Sequence, residues 1–258
     1  MRRSLFANVA ALAMATAGSA AAADLAVAPP ASFAARFNWT SCYGGLHLGG
    51  GFATKNVTDP VQLVQDSFIA PGSTVGVTTV NPGPSGVVIG GQIGCDYQFS
   101  GSSVVVGIEG AASGSTMKAN KTVALPLSIP DVATVQANTD FLSSVTARVG
   151  YAFDNVLVYA KAGGALAGDK YEVSGTFGGV PYDFRGLENR FGWTAGAGVD
   201  WAFAQHWSAN FEYDYYGFGH GTVNMTDPLT GFSGPVTIGQ SIQVVKVGLN
   251  FHMWGAGL

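Results

Sequence analysis

Eight charged side chains in this sequence stand inside segments whose apolar and polar residues alternate. Five are acidic and three are basic: Asp96, Glu109, Asp200, Glu212, Asp214, Arg148, Lys161 and Lys246. Each falls on the face opposite the main apolar stripe, although Val105 and Leu157 share the charged parity in two segments. Acids and bases on one face can pair with one another, or they can line a path for a solute or a proton. The residue types alone leave both interpretations open.

The chain contains two cysteines, Cys42 and Cys95. Both stand on the outward parity of the segments that hold them, at nearly the same height if those segments pair. An oxidising compartment would favour a disulfide between them, and two free thiols are the alternative. A metal site is not expected, because two thiols without a histidine cluster do not complete a ligand set.

Catalytic chemistry finds little support in the sequence. The four histidines are scattered, at His47, His206, His220 and His252, and no serine, histidine and acid stand at motif spacing. Triads are set by geometry rather than by sequence order, but nothing here predicts an enzyme or a cofactor. The glycines at 49–51 are not followed by the Gly-Lys-Ser/Thr of a phosphate loop. The formal charge of −4 gives no support for nucleic-acid binding.

The eight charged residues stand in segments where apolar and polar residues alternate. Phe191–Trp207 shows this alternation most clearly. Trp193, Val199 and Trp201 fall on odd numbers, whereas Asp200 lies among the small and polar residues between them. Such period-two alternation predicts a strand with one apolar and one polar face. The same pattern predicts eight strands, at residues 43–53, 86–99, 104–114, 140–153, 156–167, 191–207, 207–218 and 241–251.

The connections between these strands alternate in length. Three are short, at 100–103, 154–155 and 204–206, and four are long, at 54–85, 115–139, 168–190 and 219–240. Short periplasmic turns and long outer loops are typical of bacterial outer-membrane barrels. The sequence therefore predicts an all-β fold, an eight-stranded antiparallel up-and-down transmembrane β-barrel with both termini in the periplasm. The long connections are rich in Gly, Pro, Ser, Thr and Asn, and we expect them to be loops.

Such a barrel is just wide enough for side chains to fill its interior. We therefore expect each of the three cations to lie near a carboxylate, with Arg148 as the best candidate for a bidentate pair. Aromatic residues gather where the strands meet the short turns, as in the interfacial girdle of a membrane protein. The predicted girdle comprises Trp39, Tyr43, Tyr97, Phe99, Tyr151, Phe153, Trp201, Phe203, Trp207 and Phe251. Phe52, Trp193, Tyr215 and Phe218 are candidates for the opposite girdle.

The N-terminus has the features of a secretory signal peptide. Arg2 and Arg3 precede a short apolar run, and Ala21-Ala22-Ala23 offers a small-residue cleavage site. We divide the chain into a signal peptide (1–23), an alanine- and proline-rich periplasmic lead (24–38) and a barrel (39–258).

Four stretches resemble a known family. Residues 38–45, 90–98, 192–203 and 245–251 are similar, in order and spacing, to strands of the small alphaproteobacterial outer-membrane β-barrel (porin-like) proteins. That family is similar to the membrane domain of outer-membrane protein A. The resemblance implies an abundant and mainly structural surface barrel without catalytic residues. It also implies that the barrel-assembly machinery reads a terminal aromatic, whereas here His252–Leu258 follow Phe251.

The expected function is a structural or surface-interaction role in the cell outer membrane, with a largely plugged lumen. The expected partners are outer-membrane lipid and lipopolysaccharide, the assembly machinery, and host or surface ligands at the long loops. One alternative is a small porin-like solute channel. Another is a secreted lipocalin-like binder, which would carry apolar residues inside the barrel and charges outside.

Overall fold

The structure, a computed structural model, describes residues 37–58, 79–124, 132–229 and 231–253. Its strands are β1 (Ser41–Thr58), β2 (Thr79–Val80), β3 (Ser85–Gln98), β4 (Val104–Ala124), β5 (Val132–Phe153), β6 (Val156–Phe177), β7 (Val180–Ala204), β8 (Trp207–Thr226) and β9 (Ser233–His252). Neighbouring strands are antiparallel, and β1 pairs with both β3 and β9. The sheet therefore closes on itself as a barrel. No helix within these residues is long and apolar enough to cross a membrane.

The short β2 does not add a ninth position to the ring. It pairs with the last residues of β1, Val57 with Val80 and Thr58 with Thr79, on the side of β1 where β3 lies. It therefore continues the position of β3, and eight strand positions complete the ring. The predicted eight-stranded antiparallel barrel is confirmed.

The three predicted short connections are tight turns at one end of the barrel. Residues 99–103 join β3 to β4, Asp154 and Asn155 join β5 to β6, and Gln205 and His206 join β7 to β8. Asp154 adopts a φ of 54°, a left-handed conformation that aspartate tolerates better than most residues. Two-residue turns of this kind match the twist of the strands that they connect.

The prediction of loops is wrong over most of three long connections, 115–139, 168–190 and 219–240, where the strands continue. In the fourth, 54–85, residues 59–78 lie outside the described residues. β4 continues to Ala124, β6 and β7 are joined through Gly178 and Gly179 alone, and β7 is 25 residues long. A tilted strand needs only ~9–11 residues to cross a membrane. The longer strands therefore extend well beyond the thickness of a bilayer. We call the part beyond the apolar outer band the extension. The signal peptide, most of the lead and residues 254–258 lie outside the described residues.

The two faces of the sheet exchange character between the lower barrel and the extension. Below Asp140, β5 exposes Phe141 and Val145, whereas above it Val135 and Ala137 are buried. The strand register shifts between Thr139 and Phe141, which marks a β-bulge that reverses the parity of the outward residues. The outward residues of the extension are mostly small and polar, as in a loop. The sequence therefore did not indicate this reversed alternation. The lower barrel is apolar outside, the reverse of the lipocalin-like alternative.

A second register shift, between Gly217 and Gly219 in β8, has the same effect. Phe218, at this bulge, shares the inward parity of Asp214 and Tyr216 and is 7% exposed, so its candidate place in the upper girdle is wrong. Phe52 and Trp193 do face outward, at 61% and 54% exposed. Together they mark the upper edge of the apolar band.

The interior is filled in layers. At the short-turn end a small core includes Trp39 and Leu157, and above the charged residues a second core includes Met117 and Ile242. A third and larger core fills the extension, where Phe184 and Ile238 are fully buried. Side chains therefore occupy the bore from one end of the described barrel to the other.

Candidate functional site

All eight charged residues predicted to face the lumen lie inside the barrel, each 0% to 5% exposed. Seven strands supply them: Asp96 from β3, Glu109 from β4, Arg148 from β5, Lys161 from β6, Asp200 from β7, Glu212 and Asp214 from β8, and Lys246 from β9. Val105 and Leu157, which share their parity, are buried as well, at the short-turn end. We call these eight residues the lumen network.

Arg148 is the centre of the network on one side of the bore. Its Nη2 lies 2.8 Å from Oδ2 of Asp200, its Nη1 lies 3.4 Å from Oε2 of Glu109, and its Nε lies 3.5 Å from Oδ1 of Asp96. The guanidinium also stacks on the ring of Tyr159, with its central carbon 3.8 Å from the ring centroid. The predicted bidentate pair is wrong, because three carboxylates on three strands share the guanidinium.

Two lysines hold the acids on the other side of the bore. Lys161 contacts Glu109 at 2.8 Å and also bonds to Glu212 and, at 3.4 Å, to Asp214. Lys246 lies 2.9 Å from Glu212 and 3.0 Å from Asp214. Each of the three cations therefore contacts at least two carboxylates. Breaking a buried ion pair by removing one partner typically costs ~3–5 kcal/mol, so loss of any cation is expected to be expensive.

Two tyrosine hydroxyls complete the network, and the sequence did not reveal them. The hydroxyl of Tyr43 donates to Oε2 of Glu109 at 2.7 Å and accepts a hydrogen bond of 2.5 Å from Nη1 of Arg148. The hydroxyl of Tyr159 donates to Oε2 of Glu212 at 2.7 Å. Both tyrosines occupy inward positions in the alternation of their strands. That alternation could have predicted that both side chains face the lumen.

Acids outnumber bases in the network by five to three, which leaves a formal charge of −2. Asp96 shows the consequence, since neither carboxylate oxygen has a hydrogen-bond partner among the described residues. Its nearest cationic contact is Arg148, at 3.5 Å. In the described part of the chain, no group of His, Cys, Asp and Glu is arranged to hold a metal ion.

A serine and a histidine also meet in the lumen. Nε2 of His47 lies 2.7 Å from Oγ of Ser113, and its Nδ1 lies 3.1 Å from Oε1 of Gln92. In a catalytic triad the nucleophile, the base and an orienting group contact one another in this order, which here would be Ser113, His47 and Gln92. However, Ser113 and His47 are only 8% and 3% exposed, and Gln92 bonds onward to Asn250 at 2.7 Å. We interpret this arrangement as part of the packed lumen.

A second buried ionic group lies above the apolar band. Nζ of Lys55 lies 2.6 Å from Oδ1 of Asp169, which also accepts a hydrogen bond of 2.6 Å from Thr139. Arg190 lies close by and donates to the backbone carbonyl of Ile238. Burial lowers the pKa of the Lys55 ammonium, while the charge of Asp169 opposes that shift. Lys55 and Asp169 lie in segments whose composition predicts loops, and the sequence therefore gives no sign of this group.

The assignment of Trp39 and Tyr43 to the girdle is wrong. Odd-numbered residues of β1 face inward, so Tyr43 is 1% exposed, and Trp39, two residues before the strand, is 0% exposed. Trp39 packs edge-on against Phe37 and His252 and closes the short-turn end of the bore. The structure exposes the other eight girdle residues, between 43% and 58%: Tyr97, Phe99, Tyr151, Phe153, Trp201, Phe203, Trp207 and Phe251.

Cys42 and Cys95 form a disulfide on the outer wall. The two cysteines are direct partners in the register of β1 and β3. Their shared outward parity therefore correctly indicated that they could pair. The other histidines do not gather into a site. His252 bonds to Ser208 at 3.0 Å, His206 bonds to the carbonyl of His252, and His220 is exposed on β8.

Comparisons with known proteins agree with this architecture. The chain is 29% identical over 271 residues to the 31 kDa outer-membrane immunogenic protein of Brucella suis, covering 97% of this chain and 99% of the relative. It is 27% identical over 198 residues to the 25 kDa outer-membrane immunogenic protein of Brucella abortus, covering 75% of this chain and 72% of the relative.

Among solved structures, the outer membrane protease OmpT from Escherichia coli aligns with a TM-score of 0.49 at 7% identity. That alignment covers 84% of this chain and 98% of the protease. The profile of the outer membrane protein beta-barrel domain matches residues 9–251. A match of that extent, on a closed barrel with an apolar outer band and an ionic interior, means that this chain belongs to the outer membrane protein β-barrel domain family.

Proposed function

We propose that this outer-membrane barrel has a closed lumen and acts through its outer surface, in a structural and surface-contact role. The observation that carries the proposal is the contact set of Arg148, which joins β5 to β3, β4 and β7. Of these only β4 neighbours β5 in the sheet, so the other two contacts reach past an intervening strand through the interior of the barrel. A hydrated pathway would have to break these ion pairs.

The apolar core of the extension supports the same proposal. Phe184, Ile238 and Val173 are each 0% exposed and pack against residues from several strands. An open channel needs a polar lining that exchanges with water, whereas this layer excludes water from the bore. The lumen network and the apolar core of the extension would therefore each close the bore independently of the other.

The outer face of the extension is the surface we propose for ligand contacts. Many of its outward residues are polar or charged, among them Lys118, Asn120 and Arg185, although Leu187 is also exposed, and the strand ends there carry glycine turns. The Brucella relatives are named outer-membrane immunogenic proteins, which supports a surface role by analogy.

The proposal places the short turns and both termini in the periplasm and the extension outside the cell. The extension supports this orientation, because the strands run beyond the apolar band at one end only, whereas the other end closes in short turns like those on the periplasmic side of outer-membrane barrels. Outer-membrane lipid and lipopolysaccharide would surround the apolar band, the assembly machinery would insert the barrel, and surface ligands would meet the extension. We propose no enzymatic activity.

Conductance of the folded protein in planar bilayers tests the closed lumen. The wild-type barrel is expected to show no steady conductance. The double variant K161A/E212A, which removes one ion pair and opens space in the bore, is expected to leak more than the wild type. V145A, which truncates a side chain to alanine on the lipid-facing wall instead, is the control and is expected to behave like the wild type. Steady ohmic conductance of the wild type would contradict the proposal and support the solute channel instead.

A further inference from the structure

The disulfide between Cys42 and Cys95 lies on the outer wall of the barrel, within the apolar band. On the outward face of β3, Cys95 stands between Ile93 and Tyr97, which are 69% and 51% exposed. Its register partner on β4 is Ile108, which is 66% exposed. Tyr97 belongs to the girdle at the short-turn end, so Cys95 stands two residues farther into the apolar band than the girdle does. The disulfide therefore faces lipid once the barrel is inserted.

Thiols that face lipid are poor substrates for disulfide formation. The thiolate is the form that attacks a disulfide bond. A thiol in contact with hydrocarbon ionises with difficulty, because no water solvates the charge. A water-soluble oxidant also has no access to a wall that lipid covers. The inserted barrel thus offers such an oxidant no route to Cys42 and Cys95.

We propose that Cys42 and Cys95 are joined in the periplasm before insertion, so that barrel assembly receives a chain that is already oxidised. The oxidant is a soluble periplasmic protein that carries a reactive disulfide. The thiolate of one cysteine attacks that disulfide, forms a mixed disulfide and releases one sulfur of the oxidant. The thiolate of the second cysteine then attacks the mixed disulfide and displaces the other sulfur of the oxidant. Two electrons pass from the chain to the oxidant, and the two thiol protons pass through water to its two released sulfurs.

Oxidation before insertion would also fix the register of β1 against β3. The two cysteines are direct partners only in the register that the structure has. A slip of one residue would turn one of them toward the lumen. A slip of two residues keeps both on the outward face but separates them by about 7 Å along the strands, farther than a disulfide can reach. Because β1 also pairs with β9, the oxidised chain would carry a registered first strand to the closure of the barrel.

The same register is the one that the lumen network requires. Tyr43 pairs with Gly94, and a Cβ atom on that glycine would lie only 2.6 Å from Cζ of the tyrosine. A slip of two residues would place Gln92 or Asp96 opposite Tyr43, and either side chain would collide with its ring. The register that the disulfide fixes is therefore the one in which the hydroxyl of Tyr43 donates to Glu109.

The order of oxidation and insertion is measured on the wild-type protein, pulse-labelled in cells. Cells are lysed in detergent at acid pH, which stops thiol exchange by suppressing the thiolate. An unheated gel separates folded from unfolded protein, and each band is then unfolded in urea with a polyethylene glycol maleimide, which adds mass for every free thiol. Oxidised chains should appear first in the unfolded band, and the folded band should lack free thiols at every time. An early folded band with two free thiols, which later becomes oxidised, would overturn the proposal.

Reduced protein folded into phosphatidylcholine vesicles tests the shielding by lipid. Oxidised glutathione should join Cys42 to Cys95 completely in urea, and this reactivity should be lost in the inserted barrel. The control is C42S/C95S/T122C/T134C, which moves the thiols to direct partners of β4 and β5 in the extension. The side-chain oxygens of Thr122 and Thr134 lie 3.1 Å apart at an exposed position, so this pair should be oxidised after insertion as well. Oxidation of the inserted wild type as fast as the control would show that the disulfide can form in the membrane.

The role in register is tested by moving one cysteine two residues along the same face. I93C/C95S keeps an outward thiol on β3 but no longer places it opposite Cys42. Oxidised in urea, this variant should lose the ability to form the heat-modifiable barrel, whereas the same variant kept reduced should fold as C42S/C95S does. Equal folding of the oxidised and reduced forms would mean that the disulfide does not set the register.

Discussion

Arg148 and Asp200 form an ion pair of 2.8 Å between β5 and β7, two strands that are not neighbours in the sheet. The pair crosses over β6 and ties together walls that backbone hydrogen bonds alone would not join. Because Arg148 also contacts Glu109 and Asp96, one guanidinium holds three carboxylates within the bore. Removal of this side chain should therefore affect stability more than removal of any lipid-facing residue.

R148M is expected to lower the free energy of unfolding by about 3–5 kcal/mol, the usual cost of breaking a buried ion pair from one side. The reason is that three buried carboxylates lose their shared cation. The measurement is the urea midpoint of the barrel in detergent, supported by heat-modifiable gel mobility. V149M, on the neighbouring lipid-facing residue, is the control and should shift the midpoint little. A midpoint raised by R148M would show that Arg148 does not face the lumen.

The disulfide between Cys42 and Cys95 is expected in the native protein, and mass spectrometry of unreduced peptides should detect the linked pair. It closes a separation of 53 residues. The chain-entropy model gives a stabilisation of about 4 kcal/mol at most for a loop of that length. C42S/C95S should lower the urea midpoint, and reductant should then have no further effect on it. Alkylation of both cysteines in the native protein would refute the disulfide.

Parity predicted which charged residues enter the lumen but not which of them would meet. The inward face of a strand follows from its alternation, so all eight residues of the lumen network could be named. Contacts such as Lys161 with Glu109 depend on the register and tilt of strands, which alternation does not encode. The three carboxylate partners of Arg148 could not be predicted for the same reason. They lie on β3, β4 and β7, and only the register of the strands brings them to one guanidinium.

The errors also have physical causes. Trp39 and Tyr43 were assigned to the girdle by their aromatic character, but the parity of β1 turns them inward. Lys55 and Asp169 were missed because the extension reverses the usual order of a membrane strand, with apolar residues inside and small polar residues outside. A segment of this type resembles a loop in composition. The bulge at Asp140 conceals its alternation further.

Epitope tags test the proposed orientation. Tags inserted at Gly179 and Leu229, both exposed at the far end of the extension, should be reached by antibodies on intact cells. Tags at Gly101, Asn155 and Gln205, in the short turns, should be reached only after the outer membrane is permeabilised. Labelling of the short turns on intact cells would reverse the orientation. It would leave the barrel itself unchanged, because the strand pairing does not depend on direction.

The boundary between the apolar band and the extension can be located with a charge moved along one strand. Val145 and Gln136 both face outward on β5, on opposite sides of the bulge at Asp140. V145K places an ammonium against lipid and should cost about 2–4 kcal/mol near the bilayer midplane. Q136K places the same group in water beyond the band and should change the urea midpoint little.

Both variants are measured in the same lipid, since in a detergent micelle the apolar layer has no fixed thickness. The structure requires the two variants to differ, because the bulge changes which residues of β5 face outward. Equal destabilisation by V145K and Q136K would place Gln136 within the bilayer and extend the spanning region past Asp140. If neither variant destabilises the barrel, Val145 does not face lipid. The apolar outer band would then have to be reassigned as a surface that another protein covers.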